Sequence, residues 1–366
     1  MSFKQAEAMF SKDQIRELAQ EPEGLRYLKL RSLNRREYLE KLFEAGGIEP
    51  ASTSAKAMFK EAFETPAISS SQIDELIRCT YEQERTGRRS REPELVSQLY
   101  RLQTFDWGGL HQNSLEKTIV DNYVKKITDY ELLTDKIDNE LQNSMRGYVL
   151  CSWYNHWTSI IVEDVFRDHP NVLPAIGQVK KIDFFVRNVP FDLKVTYLPE
   201  GFIKARRRED GLRPELTLLR QGARSRNIHF DNDLPDAKLL EDLWLKHRDH
   251  PARESQQLIV ELREYRSAVL SQCLQDPIVL LRWLYENQGV RRFDASNRLF
   301  LVLVDQTSPF DSWKLKRAKP LLMERIRVHL DTVPRNPGRE VQFEWEGRMY
   351  SALADVVFVV HPNNSL

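Results

Sequence analysis

The segment KKIDFFVRNVPFDLKVTYL, from Lys180 to Leu198, constrains the fold of this chain most strongly. Apolar and polar residues alternate on both sides of Arg187-Asn188, which is the pattern of two strands that each bury one face. Asn tolerates the left-handed backbone conformations of tight turns, so the turn belongs at this dipeptide. The sequence therefore predicts an antiparallel β-hairpin.

This turn places Asp183 directly opposite Asp192, and Lys181 opposite Lys194. The apolar face then consists of Ile182, Phe184, Val186, Val189, Phe191, Leu193 and Val195, and the polar face of Lys181, Asp183, Asp192, Lys194 and Thr196. Opposed side chains lie about 4.5–5.5 Å apart, where like charges are destabilising. Two such carboxylates need a shared proton or a cation, for which Mg²⁺ is the simplest choice. A merely solvated face is the alternative, but it leaves the like-charge pair and its neighbouring lysine unexplained.

Composition indicates a soluble globular protein. The 366 residues suggest two domains or one elaborated domain, and 41% are hydrophobic and 30% charged. The sequence contains no run of 18 apolar residues, so no transmembrane helix is predicted. The N-terminus lacks the apolar core of a secretory signal. Three scattered cysteines indicate reduced thiols. We expect a cytoplasmic protein without a membrane partner.

The net charge of zero argues against non-specific coating of nucleic acid, but the basic residues are clustered. Residues 204–226 contain eight basic and three acidic side chains, and a second basic cluster lies at 314–319. Each cluster alone could be a solvated face, whereas next to an acidic pair they favour a phosphate-rich partner. The candidate contacts with such a partner are Lys181, Arg206, Arg207, Arg208, Lys314, Lys316 and Arg317.

The predicted organisation is an α/β (α+β) fold with a mixed sheet flanked by helices. Residues 1–140 form a helical region, for partner recognition or dimerisation, in which TGRRSRE at 86–92 is a charged loop. Residues 141–366 form the core, with a helical insertion at about 210–290. The core contains a long helix from Asn143 to His169, a strand at 298–305, a helix at 321–330 and a hairpin at 339–360.

An acid on a helix, an acid on one strand and acid-x-lysine on the next strand resemble the PD-(D/E)xK nuclease superfamily. Many type II restriction endonucleases belong to that superfamily. Asp183 takes the place of the first strand acid, Asp192-Leu193-Lys194 is the acid-x-lysine, and Ile182 stands where the family has proline. The resemblance covers about 60 residues and implies a restriction-endonuclease-like sheet.

The same resemblance implies the roles of individual residues. Asp183 and Asp192 would bind one or two Mg²⁺ ions, which Mn²⁺ could replace, with the Leu193 carbonyl as an additional ligand. Lys194 would orient or deprotonate the attacking water and stabilise the transition state. Glu163 would complete the metal shell. Asp164 is the alternative helix acid, but Glu163 is favoured because it lies on the polar stripe of its helix.

The expected reaction is Mg²⁺-dependent hydrolysis of DNA phosphodiester bonds that leaves 5′-phosphate and 3′-hydroxyl ends. The first interpretation is a site-specific type II restriction endonuclease, a homodimer on double-stranded DNA with a cognate methyltransferase. The second is a structure- or end-directed nuclease of defence or repair. The third is a DNA-binding protein without catalytic activity.

Overall fold

The computed structural model describes residues 1–105, 119–179, 181–287 and 296–362. Its α-helices are α1 (Phe3–Ser11), α2 (Ile15–Gln20), α3 (Pro22–Ser32), α4 (Arg36–Ala45), α5 (Ala55–Glu64), α6 (Ser70–Leu99), α7 (Tyr130–Lys136), α8 (Gln142–Arg167), α9 (Glu200–Glu209), α10 (Glu215–Ser225), α11 (Asp236–Asp249), α12 (Arg253–Gln275), α13 (Ile278–Glu286) and α14 (Lys319–Thr332). π-Helical turns span Val120–Val124 and Ile137–Leu141, and a 3₁₀-helix spans Pro309–Arg317.

The described strands form a six-stranded mixed sheet. They are β1 (Val172–Val179), β2 (Ile182–Val186), β3 (Val189–Tyr197), β4 (Arg298–Asp305), β5 (Arg339–Trp345) and β6 (Arg348–His361), in the order β1-β2-β3-β4-β6-β5. The pairs β3–β4 and β4–β6 are parallel, and the other pairs are antiparallel. This arrangement confirms the predicted mixed sheet with flanking helices.

The central hairpin has the predicted turn. Phe184 pairs with Phe191 and Val186 with Val189. Arg187 and Asn188 have φ angles of 46° and 71°, so both central residues adopt the left-handed conformation that a two-residue hairpin turn requires. The local sequence therefore determined both the turn and the register of these two strands.

The burial of hairpin side chains departs from the predicted pattern of one apolar and one polar face at Ile182 and Phe185. Phe184 and Phe191 pack under α8 and α14, as the alternation predicts. Ile182, however, packs with Phe185 among the N-terminal helices rather than with Phe184. Phe185 lies on the face that was predicted to be polar, and this part of that face is covered. The predicted apolar face is buried, but the prediction that the other face carries only polar, uncovered residues was wrong because α1 to α6 pack against this end of the hairpin.

Strand β1 was not predicted from the sequence. It contains Pro174 and also Gly177, whose φ is 68°, and both residues weaken a strand signal. Proline has no N–H to donate to a neighbouring strand, and β1 tolerates Pro174 because it is an edge strand with a neighbour on one side only. Its pairing with β2 is irregular between Pro174 and Val179.

Strand β4 links the two layers of helices. It is buried from Arg298 to Val304, as expected for a parallel strand covered on both faces. Leu299 and Leu301 face the core beneath α8 and α14, whereas Phe300 and Val302 face α9, α12 and α13. The insertion between β3 and β4 thus forms the second layer, and the predictions for β4, α14 and the last hairpin are confirmed.

The predicted loop at residues 86–92 is instead part of one helix, α6. Arg85, just before this segment, and Arg88 form ion pairs with Asp164 of α8, and Glu92 pairs with Lys319, whereas Arg89 and Arg91 are exposed. These tertiary ion pairs favour the helix over a loop.

Among the described residues, no helix combines the length and the apolarity that crossing a membrane requires.

Candidate active site

The candidate site lies where β2 separates from β3. The backbone pairing of the two strands ends at Phe184–Phe191, one residue before the predicted opposition of Asp183 and Asp192. From Asp192 onward β3 pairs with β4, and the Asp192 N–H donates to the Asn297 carbonyl at 3.0 Å. The Leu193 N–H donates to Asp183 Oδ2 at 2.7 Å. The Asp183 side chain therefore takes the place of a β2 carbonyl.

Asp192 lies between two cations. Its Oδ1 accepts a hydrogen bond from Lys194 Nζ at 2.6 Å, and Arg298 Nε is 3.7 Å from its Oδ2. The buried Arg298 guanidinium also lies over the Tyr285 ring, 5.2 Å from the centroid. The carboxylate of the acid-x-lysine is therefore strongly compensated.

Helix α8 reaches the same place through Arg167. Arg167 Nη2 is 2.8 Å from Glu163 Oε2 and donates to the Asp183 carbonyl at 3.2 Å. One arginine thus connects the helix acid with the backbone of the strand acid. Burial, and to a smaller extent the nearby charge of Asp183, raises the pKa of Glu163.

Burial is the main cause of the raised pKa values in the site. It raises the pKa of Asp183, the Leu193 N–H opposes that rise, and the charge of Asp192 adds to it. Burial also raises the pKa of Glu163, and Arg167 opposes that rise. Two desolvated carboxyls with a third beside them form an environment that favours protonation or a cation.

The helix acid is better assigned to Glu163 than to Asp164. Asp164 is buried, and its two carboxylate oxygens accept hydrogen bonds from Arg88 at 2.8 and 2.9 Å. Arg85 lies 3.5 Å from the same group. Asp164 therefore holds α8 against α6, and its charge already has a structural use.

The acids could hold a divalent cation by their chemistry. Carboxylate and carbonyl oxygens are the ligands that Mg²⁺ prefers, and it is usually bound through only one or two protein carboxylates. The N–H and C=O of a strand residue project from the same edge of the strand, so the Leu193 carbonyl belongs to the edge of β3 whose N–H contacts Asp183. In the described parts of the chain, no group of three His, Cys, Asp or Glu residues is arranged to hold a metal ion. The groups that could bind Mg²⁺ here are therefore Asp183, Asp192 and this carbonyl.

The predicted DNA contacts are not all accessible. Arg207 and Arg317 are buried and donate to backbone carbonyls, Arg207 to Arg213 and Arg317 to Leu99 and Leu102. A phosphate contact requires an accessible guanidinium, so these two residues stabilise the fold instead.

The other candidate contacts are distributed over several elements. Lys181 lies 3.3 Å from Asp13, Arg206 pairs with Glu209 at 2.6 Å, and Lys314 pairs with Asp311 at 2.8 Å. Arg208 is exposed on α9. Lys316 is mostly buried, with its Nζ 2.9 Å from Asn155 Oδ1. Of these side chains, only that of Lys316 is packed between α8 and β3.

Sequence reasoning missed two cations of the site. Arg167 lies four residues after Glu163 on α8, and that spacing was the available signal for an ion pair between them. Arg298 begins a buried strand and has no local pattern that associates it with Asp192.

Comparisons of the chain with protein-family models, curated proteins and solved structures found no match.

Proposed function

We propose that this protein is a Mg²⁺-dependent DNA endonuclease of the PD-(D/E)xK type. One observation carries the proposal: Glu163 of α8, Asp183 of β2 and the Asp192-x-Lys194 motif of β3 converge where β2 leaves β3. Parallel pairing of β3 with β4, below flanking helices, is compatible with a restriction-endonuclease-like fold. The specific form we favour is a type II restriction endonuclease that acts as a homodimer on double-stranded DNA.

The residues divide the chemistry between them. Asp183, Asp192 and the Leu193 carbonyl would hold Mg²⁺, which lowers the pKa of bound water and offsets phosphate charge when present. Lys194 is the most exposed cation of the site, with 44% of its side chain accessible. It is placed to orient the attacking water and to stabilise the negative charge of the transition state. Arg167 keeps Glu163 close to Asp183.

A second candidate function is DNA binding without catalysis. The observation in its favour is that Asp192 and Glu163 are already ion-paired, to Lys194 and Arg167, so the network could be purely structural. Under that alternative, loss of Lys194 would affect stability more than any reaction.

Replacement of Lys194 separates the two candidates. We expect Lys194→Ala to reduce DNA cleavage by about 10²-fold or more, because a group that acts in the transition state is lost, while DNA affinity changes little. Cleavage is measured on plasmid DNA with Mg²⁺, and affinity by gel shift in EDTA. Lys246→Ala, which removes a similarly exposed lysine that pairs with Asp242 on α11 and is not a candidate DNA contact, is the matched control. Undiminished cleavage by Lys194→Ala would refute the assigned role.

A further inference from the structure

Arg298 is a buried cation that shares the Asp192 carboxylate with Lys194. It lies directly beside Asp192 in the parallel pairing of β4 with β3, and its Nε is 3.7 Å from Asp192 Oδ2. Only 5% of the Arg298 side chain is accessible. An arginine carries its charge at every physiological pH. A permanent positive charge therefore lies next to one of the candidate metal ligands.

The neighbours of Arg298 hold its guanidinium in place. It lies over the ring of Tyr285, 5.2 Å from the centroid, and the Tyr285 hydroxyl donates to the Ser296 carbonyl at 2.9 Å. Lys194 differs because 44% of its side chain is accessible and its four-carbon stem is flexible. Lys194 can therefore leave Asp192 for solvent or for a phosphate, whereas Arg298 cannot.

The described charges of the candidate site cancel one another. Its three carboxylates and three cations belong to Glu163, Asp183, Asp192, Arg167, Lys194 and Arg298. When Lys194 swings away, three negative and two positive charges remain, which leaves one negative charge. The affinity of a site for a divalent cation depends on the number of its charged ligands, so this site lacks one negative charge for Mg²⁺.

We propose that Arg298 is a positioning residue that acts through Asp192 and keeps the affinity of the DNA-free site for divalent cations low. This inference rests on the proposed function. A cation bound by Asp192 shares that carboxylate with the arginine, and like charges in a buried site repel each other. A DNA phosphate supplies the missing negative charge, so the site gains its metal ion together with its substrate.

Arg266 of α12 provides a matched control. Its guanidinium is buried, lies over the ring of Trp244 at 5.0 Å from the centroid, and pairs with Glu200 and Glu215. It thus resembles Arg298 in burial, ring contact and ion pairing, but its carboxylate partners belong to α9 and α10 rather than to the candidate site. Loss of either arginine lowers stability, whereas only the loss of Arg298 should change metal binding.

The test is calorimetric titration of the full-length protein with Mn²⁺ in the absence of DNA. We expect Arg298→Met to bind Mn²⁺ about tenfold more tightly than the wild-type protein, because a fixed opposing charge is removed. Arg298→Lys, which keeps the charge, and Arg266→Met should bind within about threefold of the wild-type affinity. The Mg²⁺ concentration for half-maximal DNA cleavage should fall in Arg298→Met. A purely structural role of Arg298 predicts weaker metal binding instead, since Asp192 would lose its support.

The outcomes separate this inference from the proposed function. If the wild-type protein cleaves DNA and folded Arg298→Met binds Mn²⁺ no more tightly, the inference is wrong while the proposed function stands. If the wild-type protein neither binds Mn²⁺ nor cleaves DNA with Mg²⁺, both fail. Where Mn²⁺ binding by the wild-type protein is too weak for calorimetry, the Mg²⁺ concentration for half-maximal cleavage decides. Urea unfolding checks each variant, and Arg298→Gln replaces Arg298→Met if the latter is unfolded.

Discussion

At the scale of single residues, Asp183 combines a structural contact with an unfavourable charge. Its carboxylate accepts the Leu193 N–H that β2 would otherwise satisfy. Burial and the charge of Asp192 raise its pKa, so the ionised form of this carboxyl destabilises the fold. Residues that lower stability in this way are typical of functional sites.

We expect Asp183→Asn to raise the free energy of unfolding at pH 7 by about 1 kcal/mol, because the amide still accepts the Leu193 N–H without a buried charge. Since folding raises the pKa of Asp183, its cost is present above the folded pKa and disappears as the pH falls below it. The gain should therefore vanish in acid. Urea unfolding at several pH values measures it.

The matched variant is Asp192→Asn. Asp192 is compensated by Lys194 and Arg298, so removal of its charge should not stabilise the protein. Equal stabilisation by both substitutions, or a gain from Asp183→Asn that is independent of pH, would contradict the assignment of a buried, uncompensated charge to Asp183.

Prediction from sequence succeeded for residues with a local pattern. The alternation of polar and apolar residues around Arg187-Asn188 predicted the turn and the register as far as Phe184–Phe191, and Asp183 and Asp192 are the next residues along the two strands. It did not indicate that Arg298 approaches Asp192, because that contact joins residues more than 100 positions apart through parallel pairing of β3 and β4.

At the scale of elements, α6 determines the position of α8. The Arg85 guanidinium is 2% exposed and contacts Glu92, Asp164 and Asp168. Its partner Asp164 is next to Glu163 on α8, and Asp168 directly follows that helix, so this ion-pair cluster fixes the helix that carries the candidate acid. The sequence of residues 86–92 suggested a loop because its charged residues and Gly87 are unfavourable signals when the partners on α8 are unknown.

We expect Arg85→Met to lower the free energy of unfolding by about 3–5 kcal/mol, because buried carboxylates would lose their counter-charge. Arg89→Met is the control. Arg89 contacts Asp168 and Glu82 but is 48% exposed, so its loss should cost about 1 kcal/mol or less. Urea denaturation measures both variants, and equal effects would show that the cluster does not stabilise the packing of α6 on α8.

At the scale of the whole molecule, the sheet connects all the helical regions. The N-terminal helices share a hydrophobic core with β1 and β2, α8 and α14 cover one face of β4, and the insertion covers the other. The candidate site lies where β2 separates from β3 beside α8. Sequence patterns predicted most of these layers, but not that the N-terminal helices and β1 share a core, because that packing depends on contacts distant in sequence.

The most direct measurement is digestion of phage-sized DNA by the purified protein, with Mg²⁺ or with EDTA, alongside Asp192→Ala. We predict discrete fragments with Mg²⁺ and none with EDTA or with the variant, because the variant lacks a carboxylate of the proposed metal site. A smear would favour a nuclease without a defined cleavage sequence. Cleavage that persists in EDTA, or that Asp192→Ala retains, would contradict the proposed site.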